Sequence, residues 1–399
     1  MKAKGKRIRR QRKMKVAHVV PFTPMQCGMY ETARELAAEE RKQGINAYLV
    51  DPRPSPKEAK DMRKVRQQDA KCPKCEHDFK ITHEEEPIPT RPEDYAEDRG
   101  VCVWPVERAV VESDVVVSHS GLDKRWEACA APWMHVAHGR PNSSYRIERD
   151  GETKIYSCYK RMGTDPRWKV MITLWPGYEH YWKLVFPKVR QFPPFVDLER
   201  WTPGDGAWEF NKHNENGQIT MGESNSGKPN VVVTDIWRKD MDPFHVVHAF
   251  ALFAEKYPNA KLHVYGLDKE GRGRDTLLTC IQERGWLGEV MPKIREVREV
   301  YRKADMLITP HKIATRSVRE ALACGCQVVA GADNPYTPYN ADVEDLPAFA
   351  EMMGDAWEDW KEDWVGCQKR NREIAEHEFD VRKTAGMFID LYKELREAA

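Results

Sequence analysis

The sequence predicts an α/β protein built from two parallel-sheet domains, and three observations lead there. Short β-branched runs alternate with helical patterns along both halves of the chain. The length of 399 residues suits two domains of ordinary size. A composition of 41% hydrophobic and 32% charged residues supports a sizeable core and argues against global disorder.

Residues 14–20 (MKVAHVV) read as a buried strand. A loop with Pro21, Pro24 and Gly28 leads to a helix over 30–43, which Gly44 stops, and 47–50 form the next strand. This is a βαβ unit. Residues 52–100, crowded with Pro and charge, interrupt the alternation without a convincing strand and read as an insertion, helical around 57–68. A helix near 106–112 and strands at 114–118, 133–137 and 170–174 resume it.

The polar stretch 202–228 separates the halves. Strand 230–233, helix 243–256, strand 261–265 ending in Gly266, and helix 276–284 follow. Helix 294–303, strand 306–308, helix 317–324 and strand 327–330 complete the second alternation. The tail from 346 is helical, with Trp357, Trp360 and Trp364 at helical spacing. Two facing Rossmann-like domains are the simplest assembly, with ligands expected at the carboxyl ends of the strands. The expected layout is a basic arm (1–13), a first domain (14–197, carrying the insertion), a second domain (198–360) and closing helices (361–399).

The net charge of +1 hides an asymmetry: residues 1–15 hold nine basic side chains and no acid, leaving −8 on the rest. No apolar run is long enough to span a bilayer, and the basic start lacks the apolar region of a secretory signal. Ten irregularly spaced cysteines fit a reducing cytoplasm better than a disulfide scaffold. The arm suits nucleic-acid phosphates or an anionic surface. It has no apolar face for a membrane, which favours DNA as partner; a loose tail preceding a start at Met14 is the plain alternative.

Four segments carry a resemblance that covers most of the chain from Met14. They are FPPFVDLERWTP (192–203), HAFALFAEKYPNAKLHVYG (248–266), YRKADMLITP followed by REALACGCQVVAG (301–310 and 319–331), and the closing helices at 376–395. In this order they resemble the retaining, nucleotide-sugar-dependent glycosyltransferases of the GT-B fold, which include glycogen synthases and bacterial lipid mannosyltransferases. Phage DNA α-glucosyltransferases share that architecture. The resemblance implies two facing Rossmann-like domains with a deep interdomain cleft, and a UDP- or GDP-sugar donor held by the second domain.

The resemblance also implies roles. Glu320 matches the acid that accepts hydrogen bonds from the donor ribose diol, since one carboxylate can accept two at once; the plain alternative is a helix-surface Glu. Where the family has a second Glu eight residues upstream, this chain has Lys312, which suits a phosphate, a carboxylated sugar or solvent. Thr315, Arg316 and Ser317 open the helix carrying Glu320, where free N–H groups favour a diphosphate; Ser317 also fits a simple N-cap. Arg238 and Lys239 match a position against the leaving phosphates, though the family's upstream Arg has no counterpart near Val233 or Thr234. Gly28 lets backbone approach a phosphate or sugar, and Gly266 closes a strand at the donor side. His138, preferred to His135 and His119, matches a His contacting the donor sugar.

Cys72, Cys75, His77 and His83 resemble a zinc knuckle in the insertion, with a second CxxC missing. No acidic pair suits a catalytic divalent metal, so metal-independent transfer is expected. The acceptor is a hydroxymethylated DNA base, or a glycan or lipid. A non-catalytic nucleotide-sugar-binding protein, motivated by Lys312, and an epimerase of similar architecture stand as alternatives.

Overall fold

A computed structural model describes residues 13–22, 28–65, 69–71, 78–80, 90–91, 97–138, 162–204, 227–235, 244–266, 276–292 and 294–398. The chain divides into two compact units, 1–192 with 385–399, and 193–384.

In the first unit, β1 (Lys15–Val19) leads into α1 (Gly28–Lys42) and β2 (Asn46–Val50). Next come α2 (Pro56–Val65), β3 (Asp69–Lys71), β4 (Asp78–Lys80), β5 (Glu97–Asp98) and β6 (Val101–Trp104). The unit continues through α3 (Val106–Glu112), β7 (Val115–Ser118), β8 (Trp133–Ala137), β9 (Trp168–Thr173), α4 (Glu179–Trp182) and β10 (Val189–Gln191). Eight strands form one sheet in the order β10-β9-β8-β7-β1-β2-β6-β5. It is parallel throughout except at β5–β6, and β3–β4 form a separate antiparallel pair. Alternation divides β1: Ala17 and Val19 join a core with Val116, Trp126, Trp133, Met171 and Trp182, while His18 points to the opposite face.

In the second unit, β11 (Asn230–Val233), α5 (Phe244–Lys256), β12 (Lys261–Tyr265), α6 (Thr276–Glu283) and β13 (Leu287–Met291) run to one side. The chain returns through α7 (Arg298–Lys303), β14 (Met306–Ile308), α8 (Arg316–Ala323), β15 (Gln327–Gly331) and β16 (Asn340–Ala341). The sheet is parallel, in the order β13-β12-β11-β14-β15-β16, so its topological switch lies between β11 and β14. Val231, Val233, Phe250, Leu262, Val264, Ile308 and Val329 build the core with Phe349, Trp357 and Trp360 of α9 (Leu346–Glu362). Then follow α10 (Trp364–Glu378) and α11 (Val381–Glu397), whose residues from Ala385 belong to the first unit.

The bounds differ from the sequence reading in instructive places. The expectation of no strand in 52–100 is corrected by β3, β4 and β5, pieces of two or three residues held by backbone pairing. The edge strands β10, β13 and β16 also escape the sequence pattern. Helix α1 starts at Gly28, before the expected residue 30, and α7 starts at Arg298, after the expected residue 294. At the start of α8 the N-cap is Thr315, not Ser317, and its side chain makes no capping bond.

Candidate functional site

The second unit gathers polar groups at its switch point, where parallel sheets bind ligands. Asp235 lies just past β11, and Thr309 and His311 just past β14. The Asp235 carboxylate accepts from the Thr309 hydroxyl at 2.7 Å on Oδ2. On Oδ1 it meets His311 Nε2 at 3.1 Å and accepts from Ser317 Oγ at 3.4 Å. Ser317 and Thr315 hydroxyl oxygens lie 2.9 Å apart. Burial alone pushes the Asp235 carboxyl up, but the His311 charge and the three hydrogen bonds outweigh it and hold the group below its ordinary value.

Helix α8 is fixed from both ends. Arg319, itself buried, donates to the Phe195 carbonyl and, at 3.4 Å, to the Thr315 carbonyl at the helix start. Arg372 donates to the Ala323 carbonyl at 2.9 Å and to the Leu198 carbonyl at 3.0 Å, satisfying an orphan acceptor at the helix end. Asn334 holds the preceding loop by donating to the His311 carbonyl at 3.1 Å. Glycines close the edge: Gly266 (φ +100°) leaves room for a Cβ only 3.3 Å from the Asp235 carbonyl, and a Cβ on Gly331 would stand 2.5 Å from the Pro310 carbonyl.

The expected donor residues are distributed as follows. Glu320 is 4% exposed and pairs with Arg316 Nε at 2.5 Å, one turn upstream on the same face. Tyr301, whose hydroxyl lies 2.8 Å from Thr234 Oγ1, has its phenol pushed up by burial and then by the Glu320 charge. Thr315, Arg316, Ser317 and Glu320 are thus together on α8, with Gly266 packed on Asp235. Lys312 is exposed. Arg238 and Lys239 lie outside the described residues, as do Cys72, Cys75, His77 and His83 of the zinc reading. No group of metal-ligating side chains occurs among the described residues, and no helix there is long and apolar enough to cross a membrane.

In the first unit Gly28 is exposed and is the first residue of α1 rather than a loop residue; its carbonyl accepts from Thr32 Oγ1 at 2.8 Å. His138 directly follows β8, and Trp175 Nε1 donates to its carbonyl at 3.1 Å. His119 and His138 meet through Nδ1 and Nε2 at 2.7 Å. His18 Nδ1 lies 3.1 Å from His119 Nε2, and His18 Nε2 lies 2.8 Å from Glu40 Oε2. Tyr392 donates to Glu40 Oε1 at 2.6 Å. Burial above all, then the neighbouring histidines, holds His119 well below the ordinary imidazole value. Burial lowers His135, seated edge-on to Trp168, to about 4.

Sequence reasoning missed Asp235, Thr309, His311, His18 and Glu40. Two carried a signal. His18 interrupts the apolar run KVAHVV, and Glu40 falls at helical spacing from Leu36 and Ala37 on the buried face of α1.

No protein-family model matches the chain, and no curated protein matches its sequence. Solved structures do match its fold. A glycosyltransferase from Rickettsia africae superposes with TM-score 0.62 at 13% identity, covering 97% of this chain and 100% of that one. HepE from Anabaena, solved with UDP and glucose, gives 0.61 at 10% identity over 95% and 99%. An α-glucosyltransferase solved with UDP and a 13-mer DNA gives 0.55 at 12% identity over 96% and 100%. With two parallel α/β sheets of eight and six strands, matched nearly end to end by these structures, the chain has the two-domain GT-B glycosyltransferase fold.

Proposed function

We propose that this chain is a retaining hexosyltransferase that takes its sugar from a UDP- or GDP-sugar without a catalytic metal. The observation that carries the reading is the arrangement at the second sheet's switch point. A helix start bearing two hydroxyls is followed one turn on by a buried carboxylate, Glu320. The N–H groups opening α8 receive the diphosphate, Ser317 and Arg316 add a hydroxyl and a cation, and Glu320 accepts from the ribose diol. Arg238 and Lys239 are assigned to the charge that builds on the leaving diphosphate, and exposed Lys312 is a further cation for the same anion. The sugar's C1–O bond to phosphate breaks as the acceptor oxygen bonds C1 on the same face, and the acceptor proton passes to a phosphate oxygen. UDP or UDP-glucose in five of the matched structures supports the donor class.

The acceptor is a hydroxymethylated base in DNA. The nine cations of residues 1–15 favour a polyanion, and two matched structures of an α-glucosyltransferase hold DNA. A base in a duplex must leave the stack to react. Calorimetry with UDP and GDP, followed by nucleoside diphosphate release from their sugars with hydroxymethylated DNA, tests the proposal. Sugar linked to the base in the donor's anomeric configuration is the expected result. Binding without release marks a nucleotide-sugar-binding protein, an epimerised donor marks an epimerase, and release only with a glycan or lipid alcohol moves the acceptor.

A further inference from the structure

The cluster around Asp235 holds more hydrogen-bonding capacity than it uses. Asp235, Thr309, His311 and Ser317 all belong to the second unit and meet where the ends of β11 and β14 reach the first turn of α8. Oδ1 of Asp235 meets both His311 Nε2, at 3.1 Å, and Ser317 Oγ, at 3.4 Å, so the imidazole stands beside the start of α8. Asn334, from the loop after β15, fixes His311 by donating to its carbonyl at 3.1 Å. The His311 side chain is 5% exposed. Its Nδ1, on the ring edge turned away from Asp235, has no hydrogen-bond partner among the described residues. The helix beside it is unfinished too. Thr315 is the N-cap, but its hydroxyl makes no capping bond and lies instead 2.9 Å from Ser317 Oγ. A helix start without its cap gathers N–H groups and partial positive charge.

Charge decides what an anion meets here. Asp235 is ionised at neutral pH and only accepts, so His311 must keep a proton on Nε2 to serve it. On α8, Arg316 is paired with Glu320. Tyr301 of α7, its phenol pushed well up by burial and then by the Glu320 charge, stays neutral. Lys312 and, in the loop after β15, Asp333 are exposed, where water and salt screen them. With a neutral imidazole, an anion at the helix start faces the Asp235 charge uncompensated and a lone pair on Nδ1. With an imidazolium, the Asp235–His311 pair has no net charge and Nδ1 becomes a donor. Phosphate oxygens only accept, so they match the second state and oppose the first.

We infer that His311, with Asp235 as its fixed counterion, binds a phosphate group of the ligand as an imidazolium, through Nδ1–H. The nucleoside diphosphate as ligand rests on the donor reading of the preceding section; the anion-binding role of His311 rests on the second unit alone. The site thereby gains a buried cation where the chain otherwise places a buried carboxylate. Binding of the anion and protonation of His311 are then linked: each favours the other. A histidine kept only to satisfy Asp235 would stay neutral when an anion binds, and an uncharged donor could replace it without loss.

The test is nitrogen-15 NMR of the full chain at about pH 8, above the ordinary imidazole value near 6.5, with His311 assigned through its own backbone resonances. The probe is UDP-glucose or GDP-glucose, whichever the wild type binds, because the diphosphate of a nucleotide sugar has no proton to exchange near neutral pH. Both ring nitrogens of His311 should be protonated in the complex; a neutral ring there overturns the inference. His311→Gln keeps an amide donor for Asp235 but has no charge. Its affinity for the same nucleotide sugar should fall about ten- to a hundredfold, the worth of a hydrogen bond to a charged group. Unaltered affinity in the folded variant also overturns the inference, and if the variant does not fold, the protonation of the wild-type ring decides alone. A wild type that binds neither nucleotide sugar sinks the donor reading instead. Sulfate, which likewise has no proton to exchange, then probes the anion site directly. Protonation of Nδ1 on adding sulfate upholds the role of His311, and a ring that stays neutral removes it.

Discussion

Asp235 and Thr309 lie 74 residues apart in sequence and 2.7 Å apart in space, joined across the junction of β11 and β14. That bond, with those from His311 and Ser317, keeps a buried carboxylate ionised where the second sheet changes direction.

Asp235→Asn should destabilise the second unit by about 1–3 kcal/mol, because a donor replaces an oxygen that now accepts and buried partners lose their bonds. The sign of its pH dependence follows from the lowered folded value. The carboxylate's contribution is present above the unfolded value near 3.8 and is lost as pH falls through the lower folded one. Urea unfolding at a series of pH values should show the gap between wild type and variant closing below pH 3.8. A gap constant in acid would show that the ionised group is not what matters.

Glu320→Ala should leave the fold intact and weaken UDP or GDP binding ten- to a hundredfold, the worth of one or two bonds to a charged group. The loss should vanish when a 2′,3′-dideoxy nucleotide is the ligand. Calorimetry on both proteins with both ligands measures this. Equal loss with and without the diol would remove Glu320 from ribose recognition.

How much of this was readable beforehand depended on burial. The runs at 133–137, 230–233, 261–265 and 306–308 match their observed strands end to end, because a parallel strand covered on both faces is mostly apolar. Strand β13 gave no such signal. It is an edge strand, half-exposed, with Gly288 placed where a Cβ would stand 2.5 Å from the His263 ring. Helix α8 and its acid were legible as a motif. Asp235 was not, since one Asp among 63 acidic residues acquires its meaning only when the fold brings Thr309 and His311 to it. Glu40 and His18 likewise identify each other only across the packed face of α1 and β1.

Acid should weaken the first unit well before its carboxylates titrate. His135 is held neutral with a value of about 4 by burial, and His119 is lowered further by burial and its neighbours. A lowered histidine contributes stability above the unfolded value near 6.5 and loses it as pH falls below that. His135 alone accounts for a loss of about 3 kcal/mol between pH 6.5 and 4. Unfolding of His135→Gln, followed over the same range, should show a shallower slope than wild type.

Gly331→Ala should cost about 1–3 kcal/mol, since backbone at Pro310 cannot yield as a flexible side chain would. Gly44→Ala, left-handed (φ +95°) but in open space, should cost about 1 kcal/mol. Thermal melts of the two variants compare crowding with strain directly, and equal losses would show that the contact at Gly331 relaxes freely.

Deleting residues 2–13 should leave nucleotide affinity unchanged and reduce transfer to DNA most at low salt, where released counterions contribute most. Transfer rates measured across a salt series decide this. Identical rates at every ionic strength would free the arm of any part in acceptor capture.

The bare edges at Gly266 and Gly331 also limit how this protein can diverge. With main chain pressed against main chain at both strand ends, neither position can trade side chains to suit a new ligand. Changes of taste must instead be written into the short stretch from His311 to Ser317, where the Lys312 side chain is exposed.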